Sequence, residues 1–375
     1  MASARPLKTV PRGYRMPAEW EPHAATWLAF PHHRTDWPGK LSAIPLVFAE
    51  MARVLTEGER VRLLVADAAE RTRAERIFER AGVRMERVDF VLAPTNRSWT
   101  RDYAPLFVKK GKARGAGTGK VPAPAGTTAR PLGSLVAVKF RFDGWARYRD
   151  HKLDDAAGVT IARRFAPEYH QPLLDDGRSA VLEGGSIDVD GQGTLLTTEE
   201  CLVTSPRCRN RGLGREGNER LLAANLGVQK VIWLPNGVAG DDTSGHVDDF
   251  ARFVAPGRVV VCEEPDRRDV NHEPLRRARE VLAAARDAQG RSLEVIPLPM
   301  PRAVTYGGLR LPASYANFYI GNAAVLVPLF NDPRDRDALN ILGECFPKRP
   351  VVGIYARDLV LGLGTLHCST MQEPL

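Results

Sequence analysis

Ser244-Gly245-His246-Val247-Asp248-Asp249-Phe250-Ala251-Arg252-Phe253-Val254 is the stretch on which the reading of this chain turns. Its Val and Phe residues give it a strand-like composition, and a glycine leads into it. Alternate side chains of a strand share a face, so His246 and Asp248 are expected to point the same way, toward one site. An imidazole beside a carboxylate can move protons near neutral pH. An edge strand with two solvated polar residues would show the same pattern, and two residues alone do not separate the readings.

Outward from this stretch, short apolar runs alternate with segments of helical spacing. Strands are expected over 24–30, 61–66, 88–92, 201–204, 230–234, 249–254, 258–262, 293–297 and 351–354. Helices are expected over 41–55, 68–81, 154–165, 215–226, 272–288 and 332–345. The segments 180–189 and 193–198 read as a hairpin around Asp190-Gly191, and 318–320 pairs with 323–328 across Gly321-Asn322. Residues 109–131 are rich in Lys, Gly and Pro with little to bury, and read as a flexible insertion between strands at 106–108 and 135–140. The rhythm of strand, strand, helix, strand recurs, which makes the chain α/β. Hairpins outnumber clear crossovers, so a purely parallel sheet is disfavoured. A doubly wound fold and a ring of α/β blades both remain open at this point.

The chain has 375 residues, 43% of them hydrophobic, enough for a large core. Its formal charge of +8 is spread along the sequence, without an RNA-binding signature or zinc-finger spacing, so no nucleic-acid partner is expected. Five scattered cysteines, none in a C-x-x-C pair, suit a reducing compartment. No signal-peptide pattern or membrane-length apolar run is present, and a cytoplasmic protein without a membrane partner is expected.

Four further positions could face the His246/Asp248 pair. Cys368 follows glycines that permit a tight turn exposing a thiol, and a nearby imidazolium favours the reactive thiolate. A buried inert cysteine is the alternative, and Cys201, Cys262 and Cys345 fit that description. Cys208, between arginines, reads as a surface thiol. Glu183 lies on an apolar run before two glycines, where a carboxylate needs a partner. Asp102 and Trp99 lie in Trp99-Thr100-Arg101-Asp102; a surface pair with Arg101 and ordinary core packing are the plain alternatives. One thiol, one imidazole and several acids suit a cationic substrate. Guanidinium is planar, pairs with carboxylates in bidentate fashion and stays protonated at neutral pH, so two aspartates could grip it while a thiolate attacks its central carbon.

Trp99-Thr100-Arg101-Asp102, Glu183-Gly184-Gly185, Gly245-His246-Val247-Asp248 and His367-Cys368, in this order, resemble the agmatine deiminase and bacterial-type (porphyromonas-type) peptidylarginine deiminase family of the guanidine-modifying, or pentein, superfamily. Ser314-Tyr315-Ala316-Asn317-Phe318 and Phe253-Val254-Ala255-Pro256-Gly257 also look like that family. The likeness spans 16–374. It implies a single catalytic domain over 1–375, a five-bladed α/β propeller with pseudo-fivefold arrangement, no metal and no organic cofactor. It implies hydrolytic deimination of a small-molecule guanidine, agmatine or an arginine-like compound, through an amidino-cysteine, with release of ammonia. Cys368 matches the family nucleophile, His246 the general acid/base, Asp102 and Asp248 the guanidinium-binding aspartates, Glu183 the acid that orients the histidine, and Trp99 an aromatic residue of the substrate channel. An amidinotransferase and a non-catalytic ribosome-associated propeller are the rival readings, and a homodimer is among the states allowed.

Some positions depart from the family pattern. Arg97 stands where agmatine deiminases usually carry an acid, Leu363-Gly364-Thr365-Leu366 where the family has Gly-Gly-Asn before Ile-His-Cys, Asp188 where it has His, and Ala104 where it has Gly. An arginine near the site repels the distal ammonium of agmatine, so Arg97 is expected to favour a substrate bearing a carboxylate.

Overall fold

A computed structural model describes residues 4–111 and 132–375. The fold is mixed α/β. Five of its sheets follow one local plan: two antiparallel strands, then a helix that carries the chain back to a parallel third strand. The sheet at the middle of the chain shows how the sequence produces this. Ile187–Val189 and Thr194–Thr198 pair antiparallel, with Leu195 opposite Val189. The Asp190 carboxylate closes the turn by accepting from the backbone N–H of Gln192 (2.7 Å) and Thr194 (2.9 Å). The helix Gly214–Leu226 follows and stops at Gly227, whose φ of 70° suits a glycine; a side chain there would strike the Tyr14 carbonyl at 2.2 Å. Lys230–Leu234 then returns parallel to Thr194–Thr198.

The plan recurs. Leu106–Lys110 pairs with Val136–Val138, and the helix Lys152–Phe165 leads to Glu168–His170. Ala251–Ala255 pairs with Arg258–Glu263, and His272–Ala284 leads to Glu294–Pro299. Tyr319–Ile320 pairs with Val325–Leu329, and Asp335–Cys345 leads to Val351–Tyr355. The fifth unit is assembled from both chain ends. Met371–Pro374 pairs antiparallel with His23–Ala29, and Ile44–Leu55 leads to Arg60–Val65. The helix Ala68–Arg80 and strand Val88–Leu92 extend that sheet. One connected hydrophobic core runs from Met16 to Met371.

Three of the departures from the sequence reading lie near the site. The strand expected over 249–254 begins only at Ala251; His246 is extended, and Val247–Asp249 is a short 3-10 turn. Residues 180–186 are not strand, and Gly184–Ser186 is a 3-10 turn. The strand expected over 201–204 is a π-helical turn, Glu200–Thr204. It forms because Thr198 Oγ1 accepts the Cys201 N–H (3.0 Å), bending the chain as soon as the strand ends. The helix expected to reach 288 ends at Ala284. Lys109 and Lys110 belong to the strand Leu106–Lys110, paired with Arg15 and Tyr14, and not to the insertion; the rest of that insertion, 112–131, lies outside the described residues. The strands on either side of it pair with each other, as expected.

Candidate active site

Each of the five units is preceded by a loop, and the five loops deliver polar side chains to one place. Asp102 sits in the helical turn Thr100–Tyr103 ahead of Leu106–Lys110, and Glu183 stands ahead of Ile187–Val189. His246 and Asp248 precede Ala251–Ala255, Asn317 precedes Tyr319–Ile320, and Cys368 precedes Met371–Pro374. Glycines make the approach possible. A side chain at Gly185 would meet His246 Nδ1 at 2.6 Å, Asp102 Oδ1 at 2.9 Å and Asp248 Oδ2 at 3.1 Å, so three functional groups converge on one bare Cα. The His246 loop turns through left-handed backbone at Ser244 (φ 73°) and Gly245 (φ 92°). Asp241 Oδ2 holds that turn by accepting from the N–H of Gly245 (2.7 Å) and His246 (3.1 Å). His246 and Asp248 therefore face one site through a turn, not through strand alternation.

A cavity of about 160 Å³ opens onto these loops. Trp99, Asp102, His246 and Cys368 line it, together with Arg97, Trp145, Tyr148, Asp242, Asp249 and Gly364. Glu183 and Asp248 are buried directly behind it. Asp102 does not pair with Arg101. Its oxygens accept from Trp145 Nε1 (3.0 Å) and the Gly185 N–H (3.1 Å), and His246 Nδ1 lies 3.8 Å away. Arg101 turns the other way, to Glu19 (3.1 Å) and Gln372 (2.8 Å), and its N–H donates to the Cys368 carbonyl (3.1 Å). Glu183 accepts from Arg209 Nε at 2.9 and 3.0 Å and stands 3.9 Å from His246 Nε2. His246 Nε2 and Asp248 Oδ1 have no hydrogen-bond partner among the described residues. The other Asp248 oxygen meets His367 Nδ1 (2.6 Å), with Cys368 Sγ at 3.8 Å. Trp99 packs on Trp37 with ring centroids 5.5 Å apart, and Gly362 and Gly364 are pressed against that pair.

The charges are unevenly compensated. Burial, reinforced by Asp248 and Glu183, pushes the Asp102 carboxyl well above the usual range. Burial, with Asp248 beside it, does the same to Asp249. Burial also lifts the Cys368 thiol well above an ordinary cysteine, and Asp248, Asp249 and Asp102 add to it. His246 is pushed down to about 4 by burial, against the pull of Glu183 and Asp248. Burial raises Asp248 too, but the hydrogen bond and charge of His367 outweigh it and hold this carboxyl below its ordinary value. Thus Asp248 and Glu183 have cationic partners, whereas Asp102 and Asp249 meet neutral donors: an indole, a backbone amide and the Asn317 side chain.

Among the described residues, two sets of side chains bring metal-ligand atoms within 4.8 Å of one another: Glu183, Cys201 and His246, and Asp248, Asp249 and Cys368. Internal groups already occupy both. Arg209 sits on Glu183, and the Asn317 amide nitrogen lies 3.1 Å from both Cys368 Sγ and Asp249 Oδ1 and 3.5 Å from Asp248 Oδ2.

All six residues nominated from the sequence thus meet at or behind one cavity. Sequence reasoning passed over Asp249, Arg209, His367, Glu19 and Trp145. Asp249 and His367 adjoin nominated residues and carried a signal that went unused. Glu19 and Arg209 gave none, since a lone charged residue usually belongs to the surface. Arg97 does line the cavity, but it pairs with Asp36, reaches Asp150 at 3.1 Å and lies 4.5 Å over the Tyr148 ring. Asp188 bonds Arg252 and accepts the Phe253 N–H (3.0 Å), so it serves the frame and not the cavity.

Residues 15–374 match the Porphyromonas-type peptidyl-arginine deiminase family. The agmatine deiminase of Stutzerimonas stutzeri is 37% identical, with 98% of each chain covered. Among solved structures, the agmatine deiminase of Enterococcus faecalis superposes with a TM-score of 0.84 at 30% identity, covering 99% of each chain. A C. jejuni agmatine deiminase variant, solved with substrate bound, superposes with a TM-score of 0.80 at 26% identity, covering 98% of each.

Proposed function

This chain belongs to the Porphyromonas-type peptidyl-arginine deiminase family, and on that premise we propose that it hydrolyses a guanidine C–N bond at the cavity described above, with agmatine as the substrate the site fits best. One observation carries the reading. Asp102 and Asp249 line the cavity beside a thiol, buried, and among the described residues the donors bonded to their carboxylates are neutral. Ionising them there is costly until a cation arrives, and a guanidinium brings that charge together with planar pairs of N–H donors.

In this reading Asp102 and Asp248 hold the guanidinium, the latter through its unpartnered Oδ1, while Asp249 adds an uncompensated acid to the cavity wall beside them. On guanidinium binding the Cys368 thiol gives up its proton to His246, and the thiolate attacks the central carbon as a C–S bond forms. The C–N bond breaks, and ammonia leaves with a proton delivered by His246. His246 then takes a proton from water. The resulting hydroxide attacks the amidino carbon, the C–S bond breaks, and a ureido product and the thiolate are released. Glu183, fixed by Arg209, orients His246 and supports its charged form. Trp99 lines the path of the incoming cation. The substrate's own charge lowers the thiol into the reactive range, which resolves the conflict between a nucleophilic role and a thiol raised by burial and three acids.

The five hairpin-helix-strand units, each giving its first loop to the same site, support five blades around a central axis and one catalytic domain over the chain. Five free cysteines support a reducing, cytoplasmic setting. Among the described residues no helix is long and apolar enough to cross a membrane.

Ammonia release from agmatine, free arginine, peptidyl arginine and methylated arginines tests this. We expect agmatine to exceed arginine in kcat/KM by roughly 100-fold, since a carboxylate would meet Asp36 and Asp242 in the cavity wall. Arg97 supports the second reading, a carboxylate-bearing substrate. A preference for arginine would establish it, and no ammonia from any guanidine would remove the proposal.

A further inference from the structure

Four of the five loops at the site supply the residues already assigned to the chemistry. The fifth, ahead of Tyr319–Ile320, supplies Asn317, which is 1% exposed. The orientation of its amide is fixed by what surrounds it. On one side stand three donors: Thr365 Oγ1 (2.7 Å), the His367 N–H (3.0 Å) and the Cys368 N–H (3.3 Å). A backbone N–H cannot accept, so this side must be the carbonyl oxygen. The amide nitrogen is thereby directed at acceptors: Cys368 Sγ and Asp249 Oδ1, each at 3.1 Å.

The sulfur faces a problem that this contact addresses. Its neighbours include Asp248, at 3.8 Å, and Asp249, and both oppose a negative charge on it. A lysine or arginine placed here would stabilise the thiolate, but it would also neutralise the acids that a guanidinium has to find. A neutral N–H avoids that conflict. It stabilises negative charge on sulfur without adding a cation that would neutralise the carboxylates. From its position between the two acids and the thiol, the same nitrogen also excludes a metal ion that could capture the thiolate. The Thr365 hydroxyl bonds the Asn317 side-chain carbonyl and so helps pin the nucleophile loop.

We infer that Asn317 is a further catalytic residue: its side-chain N–H donates to the Cys368 sulfur, favouring the thiolate during attack and again when sulfur departs from the amidino carbon. This rests on the reading of Cys368 as the nucleophile.

The test compares the wild type with Asn317→Ala and Asn317→Asp. The alanine variant removes the donor without adding charge. The aspartate variant keeps an acceptor for the two backbone N–H groups if the loop requires one to fold. Removing one donor from a developing anion costs about 100- to 1,000-fold in kcat, and we expect about 100-fold with KM changed less than tenfold. The pH dependence of Cys368 alkylation by iodoacetamide, read by intact mass, should move to higher pH in both variants. An unchanged profile in the alanine variant, or kcat within threefold of wild type in whichever variant folds, overturns the inference. A profile shifted down toward that of a free cysteine also overturns it, because it means the loop has opened and Asn317 is only a fastener. Failure to trap any substrate-derived adduct on Cys368 of the wild-type enzyme sinks the nucleophile reading itself, whatever the Asn317 variants do.

Discussion

His367 Nδ1 lies 2.6 Å from Asp248 Oδ2, and this contact joins the site to a buried charge cluster beneath it. The other ring nitrogen meets Glu19 Oε2 at 2.8 Å, and Glu19 is also held by Arg101 (3.1 Å), Arg252 (3.0 Å) and the Ile320 N–H (2.8 Å). Burial works against Glu19, but Arg252, His367 and Arg101 together hold its carboxyl well below the usual range. Two ionised carboxylates can only accept, so the ring between them donates from both nitrogens. His367 thereby fixes one Asp248 oxygen and leaves the other, the one proposed to meet the guanidinium, without a hydrogen-bond partner among the described residues.

From this we predict that His367→Gln lowers kcat/KM at neutral pH by about 100-fold, the cost of a truncated charge-assisted hydrogen bond. Asp248 loses the partner that holds it below its ordinary value. The acid limb of the pH profile of kcat/KM should therefore move to higher pH. A variant that is slower but keeps the wild-type limb would show that His367 does not govern Asp248.

Arg209 is the only cation bonded to Glu183 among the described residues, and both side chains are fully buried. Removing one member of such a pair leaves an uncompensated charge, at a cost of about 3–5 kcal/mol. We predict that Arg209→Met lowers stability by that amount in urea titrations, and that adding Glu183→Gln restores most of it. If the double variant is as unstable as the single one, packing and not charge explains the loss.

His246 gives stability a pH dependence with a definite sign. Its pKa is about 4 in the folded protein against 6.5 as the ordinary value, so between these pH values the unfolded chain binds more protons. Stability from this group is present above pH 6.5 and falls as pH drops toward 4. The full shift corresponds to roughly 3 kcal/mol. Relative to His246→Gln, the wild type should lose that amount over this window in denaturant midpoints taken at several pH values; parallel curves would place the imidazole in a far more solvated setting.

Gly185 tests the convergence directly. A methyl group there would lie within 3.1 Å of His246, Asp102 and Asp248 at once. We predict that Gly185→Ala abolishes ammonia release, by at least about 1,000-fold, with a stability loss in the overpacking range of about 1–3 kcal/mol. Activity within tenfold of the wild type would mean that these three groups do not meet in the working enzyme.

Much of the fold was legible in the sequence, because hairpins and crossover helices follow local rules of spacing and turn chemistry. The turn at Asp190-Gly191 and the helix before Gly227 are examples. The errors cluster at 180–186, 201–204 and 246–250, where the backbone abandons its local preference to bring a side chain to the site. An apolar run there reads as strand, yet a hydroxyl at Thr198 or a carboxylate at Asp241 turns it.

The sequence by itself determined which chemistry the chain could attempt: a thiol, an imidazole and an excess of acids, spaced so far apart that only folding could unite them. Tertiary structure decided which acids meet a cation of their own and which are left waiting for one. It also decided that Arg97 is covered by Asp36 and Asp150, and that the Asn317 amide donates to the sulfur from 3.1 Å. Residue identity sets a group's intrinsic affinity for a proton, but burial and neighbouring charges set where that proton resides, and those exist only once the five loops have closed on one another.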